Sequence, residues 1–434
     1  MVIWQIIVFG ILTVIGFYYL FVSRYYKLKW PMKKQRWFVV DNFQMLFLFI
    51  LATAILSCGN MMANRLLVCI ILCLLAILMV QRPLALSLTV WFYAAYLLWL
   101  IIEIFYSPVK IYGFRVFLKY LYPFLIMLFA SKIKVSISFY QKTMQIILGV
   151  AIYGLCFFLI LGRIPVVNSL LNSITFWWPA ILDFFPVAAT ISLLYYSYSK
   201  QWKYLISILA LALPSILGTN RTGLLALSIT IVIFSIVRYK LKSIPYIVLG
   251  IGLFVGTLLY NNAFREKMFF KQLSKEAVIE NADQMTKEDI MDSGRFAMWE
   301  WSMKHYFEGK ELKGSGLGVL QAVFYNLKHP FGSIRIIHND YIQILCDTGI
   351  IGLLLYALTL LSLIVHSLIL YFRSKKVPIV RMAAIISGVS LAGMLSTLYT
   401  DNVVNYSMMT LSFPFALYGL TLGLNKEYQN RNVQ

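Results

Sequence analysis

Apolar side chains run along this chain in long uninterrupted stretches separated by short polar or basic turns. A membrane-spanning helix needs about 20 mostly apolar residues, and unpaired backbone groups cost so much in lipid that only helices or a closed barrel can span it. A barrel would show strands of alternating polarity, and these stretches do not alternate. The pattern predicts an all-α polytopic membrane protein of 12–13 transmembrane helices. The spans fall near 2–23, 38–58, 64–80, 84–106, 116–131, 144–161, 179–198, 204–218, 223–237, 243–260, 349–372, 382–399 and 409–424. The first, from Trp4 to Val22, is followed by a basic stretch and not by a small-residue cleavage site, so it reads as a span and not as a cleaved signal.

One segment breaks the pattern. Residues 261–348 are long and polar and hold 12 of the 17 acidic residues. They divide the chain into a first membrane part (1–260), a large loop containing short helices (261–348) and a second membrane part with a polar tail (349–434). Composition sharpens this reading: 61% of residues are hydrophobic and only 13% charged, against about 25% charged in soluble domains.

Charge sets the orientation. With the N-terminus outside, the short inner segments and the tail hold 21 Lys and Arg and the short outer segments six. That bias predicts the C-terminus in the cytoplasm and the large loop outside, long loops being left out of the count because they translocate regardless of charge. The net charge of +21 is then mainly a topology signal and an attraction to anionic headgroups, with no support for nucleic-acid binding. The five cysteines lie in or beside predicted spans without metal-ligand spacing; no metal site, cofactor or disulfide framework is expected.

Several polar residues stand out against this background. Arg221, in Thr219-Asn220-Arg221-Thr222-Gly223, sits in a tight reversal between two spans, where a guanidinium can grip a phosphate. Arg115 and Lys119 are one helical turn apart at the outer surface and, with Lys110, make a positive patch. In the loop, Asp292 or Ser293 can cap a helix starting near Arg295, and Phe296, Trp299, Met303 and Tyr306 recur at helical spacing. Gly314-Ser315-Gly316-Leu317-Gly318 lacks the features of a nucleotide loop and reads as a turn. Lys328 to Arg335 is a second basic loop. His338, just before the eleventh span, can serve as a general base near neutral pH. If a helix begins there, it turns His338 inward with Tyr341, Ile342 and Leu345, while Asp340, Gln343 and Asp347 face the other way. Asp41 and Asp401 carry no chemical expectation.

Taken together, the spans, the single large outer loop, Asn220-Arg221-Thr222-Gly223, Ser293-Gly294-Arg295 followed by Trp299, and His338-Asn339-Asp340-Tyr341-Ile342-Gln343-Ile344-Leu345 running into Thr348-Gly349-Ile350-Ile351-Gly352 resemble the O-antigen ligase and Wzy polysaccharide polymerase superfamily. The motif-bearing part covers roughly 218–370, with Asp347 at the family's acid position. The resemblance implies a bacterial inner-membrane glycosyltransferase of the GT-C type using undecaprenyl-pyrophosphate-linked oligosaccharides as donor and acceptor, without a metal. It makes His338 the base and Arg221 and Arg295 the pyrophosphate holders, with Arg115, Lys119, Asn339 and Arg335 as further substrate contacts. The better-known ligases have twelve spans and both ends inside, so the thirteenth span and the outer N-terminus depart from the family pattern. An Ile/Lys/Tyr-rich, Ala-poor composition resembles that of a low-GC Gram-positive source, which has no lipid A to serve as a ligase acceptor; the expectation is therefore a polymerase over a ligase, with room for a chain-length regulator as partner. A transporter of lipid-linked sugars is the competing class, but no inverted repeat or pair of broken helices marks one.

Overall fold

The computed structural model describes residues 2–22, 26–29, 37–54, 62–160, 164–165, 178–218, 220–269, 295–331, 334–406, 408 and 410–431. The charged stretch 271–290 and the expected cap at Asp292 or Ser293 lie outside the described residues. Each predicted span holds a helix, although in the span predicted over 38–58 the helix covers only Asn42–Thr53 and residues 38–40 are extended. In the first membrane part these are α1 (Val2–Phe21), α2 (Asn42–Thr53), α3 (Met62–Met79), α4 (Leu88–Tyr106), α5 (Lys110–Lys132), α6 (Ile137–Leu159), α7 (Trp178–Ser199), α8 (Trp202–Leu217), α9 (Arg221–Tyr239) and α10 (Ile244–Tyr260). The loop adds α11 (Asn262–Phe269), α12 (Arg295–Tyr306) and α13 (Val319–Tyr325), and the chain closes with α14 (Asp340–Arg373), α15 (Pro378–Thr400) and α16 (Ser412–Arg431). By length and hydropathy, α4, α5, the run from Arg221 to Tyr260, α14 and α15 can each cross a membrane. The chain is an all-α polytopic membrane protein.

The exception to helix is a ribbon: the sequence reading gives its first strand as a basic loop and most of its second as the start of the span near 38–58. Strand β1 (Tyr26–Lys29) pairs antiparallel with β2 (Trp37–Val40), with Tyr26 opposite Val40. The aromatic and β-branched run Trp37-Phe38-Val39-Val40 suits an extended chain.

Helix α15 lies at the centre of the bundle, packed on α7, α9, α14 and α16. Its buried surface mixes large aliphatics with small residues, among them Ala383, Ala384, Ser387, Gly388, Ser390 and Gly393, which let neighbouring backbones approach where lipid supplies no hydrophobic drive between helices.

Two local devices set where the site-bearing helices start. Asn220 caps α9, its side chain accepting from the Gly223 amide at 2.8 Å. Asn339 caps α14, accepting from the Ile342 amide at 3.0 Å. Helix α14 is interrupted at Gly349, where φ is 67° and ψ −170°. The Leu312 carbonyl sits where a Cβ would be, and the amide of Ile350 donates to the Glu311 carbonyl at 2.8 Å. The Gly349-Ile350-Ile351-Gly352 motif is thus the joint at which the loop is buttoned to α14. Gly349→Ala is expected to lower stability by about 1–3 kcal/mol from a positive-φ backbone that is essentially restricted to glycine, with a further loss from the collision. The thermal midpoint of the detergent-purified protein measures this, and an unchanged midpoint would contradict the account.

Candidate active site

His338 does not begin α14, as the helical-wheel reading expected. It precedes the Asn339 cap and has a φ of +54°, a conformation uncommon outside glycine though less so for His. The backbone is clamped on both sides of it: Trp299 Nε1 donates to the Ile337 carbonyl at 2.9 Å, and Asn339 is a buried cap. This turn carries the imidazole away from the helix. Its Nδ1 lies 3.0 Å from Oδ1 of Asp401, the residue that ends α15. The histidine side chain is 32% exposed and the aspartate 13%, so the ring keeps access to solvent while its partner is shielded. Since an ionised carboxylate can only accept, Nδ1 donates and Nε2 is left with its lone pair. Asp401 Oδ1 also accepts from the Asn402 amide at 2.8 Å, which fixes its direction.

The arginines converge on the same end. Arg295, the first residue of α12, donates from Nη1 to the Thr400 carbonyl at 2.6 Å, next to Asp401. Burial pushes its guanidinium below the ordinary range, and the charge of Asp401 pulls it back up. Arg221, the first residue of α9, lies within electrostatic range of Arg295. Residues 43 positions apart or more in the chain, Arg221, Arg295, His338 and Asp401, therefore share one end of the bundle.

Helix α12 is held over that end chiefly by its buried side chains. Met298, Trp299, Leu320, Phe324, Ile337 and Cys346 form a second apolar cluster beneath the loop, and the Trp299 ring meets Tyr399 at 5.5 Å. Burying an aromatic of its size stabilises by roughly 4–6 kcal/mol at about 25 cal/mol per Å², against about 1 kcal/mol net for its hydrogen bond. Burial holds the helix down; the hydrogen bond sets the position of Ile337, and so of His338.

A polar layer backs the dyad. Asp340 Oδ2 accepts from the Val404 amide at 3.1 Å, and Asn402 Nδ2 donates to Gln343 Oε1 at 2.9 Å. Lys119 Nζ donates to Asn405, whose amide donates to Asn402. Asp347 is deeply buried and accepts from the amides of Gly318 and Leu320 at 3.0 and 2.9 Å. The glycine turn, with positive φ at Gly314, Gly316 and Gly318, thus wraps an internal carboxylate. These positions correct the expectation that Asp340, Gln343 and Asp347 face away from the protein: all three are buried, because α13, the glycine turn and residues 401–406 cover that side.

The remaining expected contacts divide. Asn339 serves as a buried cap, and Lys119 belongs to the polar layer. Arg115 and Arg335 are exposed and stack over Tyr112 and Tyr325. Asp401, set aside on sequence grounds, is the residue the structure adds. As the only acid in a short turn between two spans near the motif-bearing helix, it carried a signal that could have found it. Among the described residues, no three His, Cys, Asp or Glu side chains gather as metal ligands would.

With this geometry in view, comparison with known families is decisive for one stretch. Residues 205–357 match the family described as O-antigen ligase. Over that stretch the chain is similar to the O-antigen ligase family. The match spans Arg221, Arg295 and His338, while Asp401, Arg115 and Lys119 lie beyond it. No curated protein matches the chain. The family implies a membrane enzyme of glycosyl transfer acting on lipid-linked glycans.

Lys119 lies in the field of the buried Asp340. Lys119→Met should destabilise the protein by roughly 3 kcal/mol, at the low end for breaking a buried charge pair because Lys119 keeps some access to solvent. Lys119→Met with Asp340→Asn should recover part of that loss. A double-mutant cycle on thermal midpoints tests the coupling, and strict additivity would count against it.

Proposed function

We propose that the protein polymerises undecaprenyl-pyrophosphate-linked oligosaccharide repeat units on the outer face of the bacterial cytoplasmic membrane, with its N-terminus outside and its C-terminus inside. The outer placement rests on the bias of Lys and Arg between the short segments of the two sides. The observation that carries the chemistry is the His338–Asp401 pair beside Arg295. Nε2 of His338 takes the proton of an acceptor sugar hydroxyl, and the oxygen attacks the anomeric carbon of the donor. The bond from that carbon to the pyrophosphate oxygen breaks as the new glycosidic bond forms. Arg221 and Arg295 receive the charge that develops on the departing undecaprenyl pyrophosphate, and Asp401 holds the imidazole in the useful tautomer and steadies the imidazolium.

A second reading is transfer of the glycan to a different acceptor, and the description of the matched family as O-antigen ligase favours it. The two readings share the donor half of the site. Purified protein in nanodiscs, given a lipid-linked repeat unit alone, should build a ladder on a gel if it is a polymerase. A ligase gives product only when a different acceptor is added, and movement of label across vesicles without new bonds would sink both readings.

His338→Ala should lower turnover by about a hundredfold or more. Asp401→Asn should do the same, since an amide can hold the ring in the wrong tautomer, and should also lower the thermal midpoint, because the charge that offsets the buried Arg295 is gone. Normal ladders from a folded His338→Ala protein would remove the base assignment.

A further inference from the structure

Beside the dyad lies a surface that the proposed chemistry does not use. The start of α5 and the loop around α13 press together: Ser107 Oγ donates to the Leu317 carbonyl at 2.8 Å, and the Tyr112 hydroxyl to Asn326 Oδ1 at 3.3 Å. This brings the Tyr112 and Tyr325 rings to 6.1 Å at an interplanar angle of 56°. The guanidinium of Arg115 lies 5.4 Å from the Tyr112 centroid and that of Arg335 5.8 Å from the Tyr325 centroid. Arg115 and Arg335 are exposed and Tyr325 is 52% exposed, and among the described residues neither arginine forms an ion pair.

The charge here is one-sided. Residues 104–119 and 312–337 contain six Lys and Arg and no acid, and while Lys119 and Lys313 lie in the fields of Asp340 and Glu103, Lys110, Arg115, Lys328 and Arg335 face outward without one among the described residues. A snorkelling arginine needs no ring beneath it, whereas stacking pre-aligns the planar fork for bidentate contact with a carboxylate. The exposed tyrosine surface supplies the flat apolar face against which a sugar ring packs. Arg335 also borders a crevice of about 10 Å³, room for a single water, that reaches Gln343 and Asn405 of the polar layer and Ile337 next to His338. A glycan on this surface stays outside that crevice and lies alongside the dyad.

We infer that Arg115, Tyr112, Tyr325 and Arg335 form a platform for an acidic glycan, one bearing carboxylates such as uronic acid residues. This rests on the reading that the substrate is a glycan, and it adds that the repeat unit is anionic and where it lies. The full-length protein in nanodiscs of neutral phosphatidylcholine should bind a hexasaccharide of alternating glucuronate and N-acetylglucosamine, followed by thermophoresis, and should bind neutral maltohexaose at least tenfold more weakly. Arg115→Gln with Arg335→Gln should weaken the acidic probe at least tenfold, and Tyr325→Ala should weaken it as well. Equal affinity for the two probes, or unchanged binding by the double variant, overturns the platform. Native mass spectrometry of wild type and double variant from phosphatidylglycerol nanodiscs supplies the lipid arm: loss of bound anionic lipid with unchanged glycan binding assigns the arginines to headgroup phosphate and also overturns it. His338→Ala protein should bind the acidic probe as wild type does. Binding is read without turnover, so failed ladders would count against the polymerase reading and leave the platform standing.

Discussion

The contact between His338 and Asp401 ties the start of α14 to the end of α15, and the arrangement of that end of the molecule follows from holding those two side chains in place. A histidine with positive φ keeps its conformation only where its surroundings over-determine it. Here Trp299 grips the carbonyl before it and the Asn339 cap fixes the amides after it. The aspartate is as tightly set, with the Asn402 amide on its carboxylate and its own amide on the Thr397 carbonyl at 2.8 Å. Neither residue can turn away without breaking a cap or a helix end.

This economy explains the number of buried polar groups at one end of an apolar bundle. Three carboxylates there find a backbone amide: Asp340 that of Val404, Asp347 those of Gly318 and Leu320, Asp401 that of Asn402. An unsatisfied buried group costs about 1–3 kcal/mol, so the pairings avoid a penalty more than they add stability. What they contribute is position. Asp347 pulls the glycine turn onto α14, the turn carries α13, and α13 shares the apolar cluster that seats α12 and Arg295.

The helices and the His338 motif were legible in the sequence because apolar runs and glycine punctuation are local signals. The long-range partners were not. Asp401 stands 63 residues after His338; its place as the only acid in a short turn between two spans is a local signal, but nothing local says which residue it pairs with. The inward face of Asp340, Gln343 and Asp347 was misjudged for a related reason. A helical wheel separates polar from apolar positions, but only the elements packed on each side decide which face is buried, and here the glycine turn and residues 401–406 bury the polar one. Lys119 and Arg115, one turn apart and alike in sequence, separate in the structure into a partner of Asn405 and a stacking partner of Tyr112.

The two arginines raise a question of sign. Holding Arg221 near Arg295 costs repulsion, and burial adds a desolvation cost at Arg295. Asp401 offsets part of this at Arg295, and it also faces His338. A neutral sugar entering such a place gains little from its charges. A pyrophosphate relieves the repulsion, and it does so increasingly as its bond to the sugar breaks and charge collects on the leaving oxygen. Donors placed in advance for charge that appears only in the transition state raise the rate without merely tightening the ground state. On the proposed reading, the arrangement that looks least stable electrostatically is the part fitted to the leaving group.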